Sequence, residues 1–485
     1  MKILKNVSKI VGCLILIIVV IVVIQTLTTA SKQVKVVNTS LYINLDMDKA
    51  SRNLSKALQF KTISYTNPEE FDYTEFLGLR QFIDDTYPNV KTNLKKETVN
   101  QNSLLYTWEG ANSELKPLIL CAHMDVVGVE EATLGEWKYQ PFSGAIAEGK
   151  IWGRGARDNK CQVFSILEAV EYLIVKGYKP ERTIYLAFGH DEEVLGVNGA
   201  AKIAGLLEKR GVVAECLIDE GGAIVEKSIP GVSGKVALIG TAEKGYLTLK
   251  ISTSMEGGHS ADPANETAIG AISAAVSKVD KYQFDGTLDY VCPMFEYTAA
   301  EASFPMKVVY SNLWLTNGIL KNILAGSSDT DASIRTTKVA TVFNAGFKDN
   351  VVPKEASALI NLRLMPGHTI QGTIQTISDI INNNKIKIET VGFYNEAPEQ
   401  ASSDTDSFRT IQKSLKQVFP DSISVPYFVT GGTDAKHYTN ITKNLYNMTP
   451  SIKEKDEEGH GVNERIPIDN YEEYIKVFIQ LIKNM

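Results

Sequence analysis

Histidine is scarce in this chain, six in 485 residues, and two of the six stand where carboxylates gather. His123 opens His123-Met124-Asp125, and Asp158 follows a Gly-punctuated turn. Asp191-Glu192-Glu193 is a run of three acids, Asp219 closes an apolar run, and His460 lies in Glu458-Gly459-His460-Gly461. Imidazole nitrogen and carboxylate oxygen are ready ligands for zinc-like cations. Taken singly, His123 reads as a hydrogen-bonded strand end and Asp158 as a helix N-cap. Adjacent acids at a buried strand end repel one another and lose hydration, a cost that a bound cation offsets. Together these residues can hold two divalent cations and leave one carboxylate free to act on water, which predicts a metal-dependent hydrolase.

The elements that must position these residues follow an α/β grammar. Helices are expected over Asp46 to Phe60, Tyr73 to Tyr87 and Cys161 to Val175. Buried strands are expected at Leu118 to Ala122, Thr183 to Phe188 and Cys216 to Ile218, each ending beside a candidate ligand. Continuous apolar strands alternating with helices predict a mostly parallel sheet covered on both faces. Ligands of such sheets collect at the carboxyl ends of the strands. From about Gly245 the pattern becomes β-α-β-β-α-β, the ferredoxin-like order. It is interrupted by about fifty residues between Gln283 and Arg335. The expectation is a three-layer catalytic domain (46–243 and 396–485) split by an inserted α+β lid (244–395).

Lys9 and Lys32 enclose 22 uncharged residues. As a helix these extend about 33 Å, enough for a hydrocarbon core of about 30 Å. Lys2, Lys5 and Lys9 precede the run, so residues 1–9 are expected in the cytosol, 10–31 as a transmembrane signal-anchor, and 32–45 as a stalk to a lumenal or extracellular domain. The competing expectation is secretion after cleavage at Thr28-Thr29-Ala30. Sequons at Asn38, Asn53, Asn265, Asn440 and Asn447 suit a glycoprotein. Net charge is −7 with no basic stripe, which argues against nucleic acid. The five cysteines are too scattered for a CxxC site or a disulfide framework.

The segments His123-Met124-Asp125-Val126-Val127, Pro141-Phe142-Ser143-Gly144, Gly153-Arg154-Gly155-Ala156-Arg157-Asp158 and Gly189-His190-Asp191-Glu192-Glu193 resemble the dizinc aminoacylase and carboxypeptidase family. Gly431-Gly432-Thr433-Asp434-Ala435-Lys436-His437-Tyr438 and the N-terminal apolar run resemble its carboxypeptidase S branch, which includes secreted enzymes that make and cleave N-fatty-acyl amino acids. The resemblance implies two Zn²⁺ per subunit, bridged by Asp158. One would also be held by His123 and Asp219, the other by Glu193 and His460. It makes Glu192 the general base and later proton donor, with Asp125 supporting His123. Position 219 is Asp in this branch and Glu in some relatives. In the lid it implies that His259 stabilises an oxyanion, that Arg363 clamps a free carboxylate, and that Asn350 and Gly432 contact substrate. Arg157 and Asn159 depart from the family pattern on either side of Asp158. The implied reaction is removal of the C-terminal residue from short peptides. Its rival is hydrolysis or synthesis of N-acyl amino acids at the same metals, and the lid leaves room for a homodimer. A catalytically silent binding protein would have lost a ligand or the base, and neither is missing.

Overall fold

The computed structural model describes residues 2–36, 43–454, 456 and 459–485. Its central sheet is built on Leu118–His123, Ile184–Gly189 and Cys216–Asp219, three apolar runs that pair in parallel. The full order is Lys95–Val99, Ser103–Trp108, Ile184–Gly189, Leu118–His123, Cys216–Asp219, Leu445–Asn447, Lys235–Glu243 and Ile423–Val429, with Ile224–Glu226 paired to Lys235–Glu243. Successive side chains of a strand point to opposite faces, and the first central strand shows it. Leu118, Leu120 and Ala122 enter a core with the helices Lys160–Val175, Asp406–Val418 and Ile468–Asn484. Ile119 and Cys121 enter a second core with the helix Ala200–Lys209 and Tyr438. Three layers result, and all three central strands end on one edge.

The lid is a four-stranded antiparallel sheet of Thr337–Ala345, Glu355–Leu364, Gly245–Ser254 and Lys387–Thr390, in that spatial order. Burial along Glu355–Leu364 alternates residue by residue. Its inward face packs Ile360 and Leu362 on Ile272 and Ile377 from the two lid helices, Ala268–Lys281 and Ile370–Ile381. Thr267 and Thr369 cap those helices through the amides of Gly270 and Gly372. The mostly parallel catalytic sheet and separate antiparallel lid agree with the sequence expectation.

The interrupting segment packs apart from the lid helices. Among the described residues, its helices Cys292–Thr298, Phe304–Ser311 and Leu313–Leu324 share no core with the lid helices. Phe295, Tyr310 and Leu320 pack instead with Ala242 and Phe428 of the catalytic sheet and with Met365. The edge strand Ile423–Val429 supplies Phe428 as their apolar partner.

Lys2–Thr28 is one helix, and Ile3–Thr28 within it has a mean hydropathy of 3.2 and is almost wholly exposed. The residues just beyond are docked on the folded domain: Gln33 Nε2 donates to the carbonyls of Tyr297 and Ser424, and its Oε1 accepts from Ser424 N. The sequon Asn38 and part of the expected stalk lie outside the described residues. Asn447 corrects one glycosylation expectation: it is buried, and its amide donates to Thr433 Oγ1 at 3.0 Å, so no glycan can be attached in the folded chain.

The separate cores predict separable stability. Ile360→Ala should cost the lid about 2–5 kcal/mol through the cavity it leaves. Denaturant unfolding of the metal-loaded protein should show this in one transition, with metal content unchanged; metal loss in that same transition would mean the cores melt as one.

Candidate metal centre

His123 Nε2 lies 3.0 Å from Glu220 Oε1 and 3.1 Å from Asp158 Oδ1. His460 Nε2 lies 3.2 Å from Asp158 Oδ2 and 3.0 Å from Glu193 Oε2. Asp158 thus turns one oxygen to each imidazole, and the donor atoms form two triads that share it: His123–Asp158–Glu220 and Asp158–Glu193–His460. Zinc bonds of about 2.0–2.1 Å in tetrahedral array put neighbouring ligand atoms about 3.3 Å apart. The observed separations and the nitrogen–oxygen donor set fit two such ions.

Two buried carboxylates hold the donors in place. Asp125 accepts the amides of Glu192 and Glu193, both at 3.1 Å, and Ser64 Oγ at 2.7 Å, while standing 3.4 Å from His123 Nδ1. It fixes the imidazole's orientation and the turn that carries both glutamates. Glu464 accepts the amides of Gly155, Arg157 and Asp158 and pairs with Arg154 at 2.6 Å; Arg154 also donates to the His460 carbonyl. Asn159 Nδ2 donates to Glu220 Oε2 at 2.6 Å, and the Asp158–Asn159 peptide is cis.

The electrostatics are those of ligands sharing protons. Burial opposes charge on His123, but Glu220, Asp125 and Asp158 outweigh it and raise the imidazole well above the ordinary histidine range. Asp158 first, then Glu193, push His460 up to about 10. Asp158 is held well below the carboxylate range; its burial works the other way and is overcome by the two imidazoles. Burial, then the charge of Asp158, lifts Glu220 to about 7. Burial also raises Glu192, where Lys436 is the first opposing charge, and Glu193, where the His460 hydrogen bond opposes it.

The structure therefore gathers His123, Asp158, Glu193 and His460 from the expected ligand set, with Asp125 and Glu192 beside them. Asp219, which the resemblance implies as a ligand, is turned differently from these four. Its Oδ1 accepts Glu220 N and its Oδ2 accepts Ala435 N, so both oxygens brace backbone, and the next residue, Glu220, turns into the first triad. The doublet Asp219-Glu220 was the available signal; choosing between its members requires the direction in which the strand Cys216–Asp219 ends. Arg154, Glu464 and Lys436 also escaped the sequence reading, Glu464 being one acid among many until its three amide donors are seen. The lid residues stay outside both triads. His259 and Asn350 adjoin each other on an exposed ribbon, where His259 Nδ1 accepts Ala261 N and the Asn350 carbonyl accepts Ser260 N. Arg363 stacks on Tyr246, 4.7 Å from its ring centre. Gly432 lies beside the Lys244 carbonyl.

Comparison with known proteins identifies the family. Residues 119–484 match the profile of "Peptidase family M20/M25/M40". The chain is 38% identical over 470 residues to a probable carboxypeptidase S-like 2 of Dictyostelium discoideum, covering 95% of this chain and 90% of that one. It is 36% identical to an N-fatty-acyl-amino acid synthase/hydrolase of Danio rerio, covering 90% and 86% respectively. Among solved structures it resembles the M20 family metallo-carboxypeptidase Sso-CP2 of Sulfolobus solfataricus, with a TM-score of 0.66 at 19% identity over 90% of this chain and 98% of that one.

Two measurements follow from the site. Glu220→Ala should lower bound metal from about two equivalents toward one, whereas Asp219→Asn should keep both and cost about 1–3 kcal/mol of stability through its weakened backbone bonds. Elemental analysis and thermal unfolding of the two variants check this; the reverse pattern would restore Asp219 as the ligand. Secondly, His460 of the metal-free protein carries its proton below about pH 10, and a ligating imidazole must be neutral. Adding metal at about pH 8 should therefore release about two protons, one per imidazole, read by titration in buffers of different ionisation enthalpy.

Proposed function

The chain belongs to peptidase family M20/M25/M40 and is a metallo-hydrolase of that family, and from this premise we propose that it is a zinc carboxypeptidase that hydrolyses the C-terminal bond of short peptides. The observation that carries the reading is the pair of triads joined at Asp158, with Glu192 held beside them by the Asp125 carboxylate. His123, Asp158 and Glu220 would hold one cation, and Asp158, Glu193 and His460 the other. Bound zinc ions there supply Lewis acidity toward a carbonyl and ease the ionisation of water. Glu192, whose pKa burial raises, takes the proton of the attacking water and returns it to the leaving amine. Arg363, flat against Tyr246, presents a planar guanidinium suited to a free C-terminal carboxylate. His259 and Asn350 serve the substrate once the lid closes on it.

A second reading has its own observation. A cleft of about 550 Å³ opens between the lid strands and the turn that follows Glu193, walled by Phe71, Val194, Leu195, Val197, Leu359 and Phe393. Apolar walls so near the metal ligands also suit a long acyl chain, as in an N-acyl amino acid.

We place the catalytic domain on a membrane through Lys2–Thr28, N-terminus cytosolic. Retention of that helix is supported by Asn312, a buried side chain whose amide donates to the buried Thr26 hydroxyl at 3.0 Å. Cleavage after Ala30 would strip that partner away.

Purified full-length protein should cleave a Gly-Leu-type dipeptide faster than an N-oleoyl amino acid; the opposite order selects the second reading. Glu192→Gln should keep its metal and lose activity by on the order of 10²–10⁴-fold on either substrate. Full activity in that variant would remove Glu192 from the mechanism.

A further inference from the structure

The interrupting segment leaves an apolar surface that neither the catalytic site nor the fold uses. On the helix Leu313–Leu324, Ile319 and Ile323 are 65% and 64% exposed, and Trp314 and Leu315 about half exposed. Leu315, Ile319 and Ile323 recur every four residues, so they form one stripe along the helix. Phe304, at the start of the preceding helix, is also exposed. Between Phe304 and Leu324 the only charged residues are Lys307 and Lys321, and there is no acid. A stripe of this kind, with basic charges and an aromatic residue beside it, has the composition of helices that lie in a bilayer interface.

Its position says what covers it. The last turn of the apolar N-terminal helix is fastened to the start of this hairpin. Trp314 Nε1 donates to Gln25 Oε1 at 2.6 Å, and Thr29 Oγ1 donates to Ser311 Oγ at 2.8 Å, beside the Asn312–Thr26 bond. Just beyond, Lys32 pairs with Glu296 at 2.6 Å and Ser31 donates to Glu301. The point where the apolar span turns polar, Gln25 to Thr29, is thus held at the level of Trp314 by side chains on both partners. A surface fixed there cannot stand away from the membrane that the span crosses.

We propose that the hairpin Phe304–Leu324 is a second membrane-contact element, its stripe of Trp314, Leu315, Ile319 and Ile323 seated among the headgroups and upper acyl chains of the bilayer. The proposal rests on the anchor reading above and adds to it: the anchor tethers the chain, and the hairpin fixes how the catalytic domain is oriented on the surface. The occupant is the lipid bilayer, because the stripe continues from the foot of the span and carries only positive charge.

The test uses full-length protein reconstituted in phosphatidylcholine–phosphatidylserine vesicles, with or without phosphatidylcholine brominated near the headgroup end of its chains. Trp108, Trp137 and Trp152 are buried, so bromine should quench Trp314 emission, and Trp314→Phe should remove that quenching. In the double variant Trp314→Phe/Ile323→Trp the probe sits about 13 Å along the helix from position 314. The stripe predicts about twofold loss of its emission in brominated vesicles. Carbonate washing of the same vesicles tests the anchor. A chain that is retained but unquenched at position 323 overturns the hairpin proposal and leaves the anchor standing. A chain that is quenched yet washes off upholds the hairpin and overturns the anchor. A chain that does neither overturns both. Unchanged metal content confirms that the double variant is folded.

Discussion

The Glu464 carboxylate holds the site together. It takes three consecutive-region amides from the loop that carries Asp158, and it pairs with Arg154 inside the protein, both side chains almost without solvent contact. Arg154 in turn holds the carbonyl of His460. Asp158 and His460 are 302 residues apart in sequence (460 − 158), and this ion pair ties the segments that carry them. Removing either partner of such a pair leaves an uncompensated buried charge, which costs several kcal/mol. Its geometry is therefore held firmly, and so is the relation between the two triads.

Around that frame the dominant energy is repulsion among acids. Asp125, Asp158, Glu192, Glu193, Asp219 and Glu220 crowd one edge of the sheet, where burial strengthens every charge–charge interaction. The chain disposes of the excess in two ways. Asp125 and Asp219 spend their charge on backbone amides, which turns them into braces. Asp158, Glu193 and Glu220 face imidazoles instead. Division of labour between neighbours, 219 with 220 and 191 with 192 and 193, is what a strand end offers: consecutive side chains leave it in different directions.

The rest of the molecule separates by where its apolar surface finds a partner. The lid closes its own core and so can be carried as a unit. The interrupting helices, contiguous with the lid in sequence, join the catalytic sheet because Phe428 and Ala242 offer them an apolar face. They also grip the foot of the N-terminal helix, so the attachment of that helix and the lid are built from one stretch of chain.

Much of this could be read from residue types alone. Apolar runs ending at or just before His123, Gly189 and Asp219 gave a mostly parallel sheet with chemistry on one edge, because period and polarity are local properties. The β-α-β-β-α-β order of the lid and the apolar N-terminal helix were legible for the same reason. Scarce histidines and clustered acids carried enough signal to single out His123, Asp158, Glu193 and His460, which the fold brings together. The entry of Glu220 into the first triad, the cradle at Glu464, the buried Asn447 and the docking of the interrupting helices were decided by the folded chain. Each depends on which way a side chain turns or on what a distant segment brings to meet it, and a linear pattern contains neither direction nor distance.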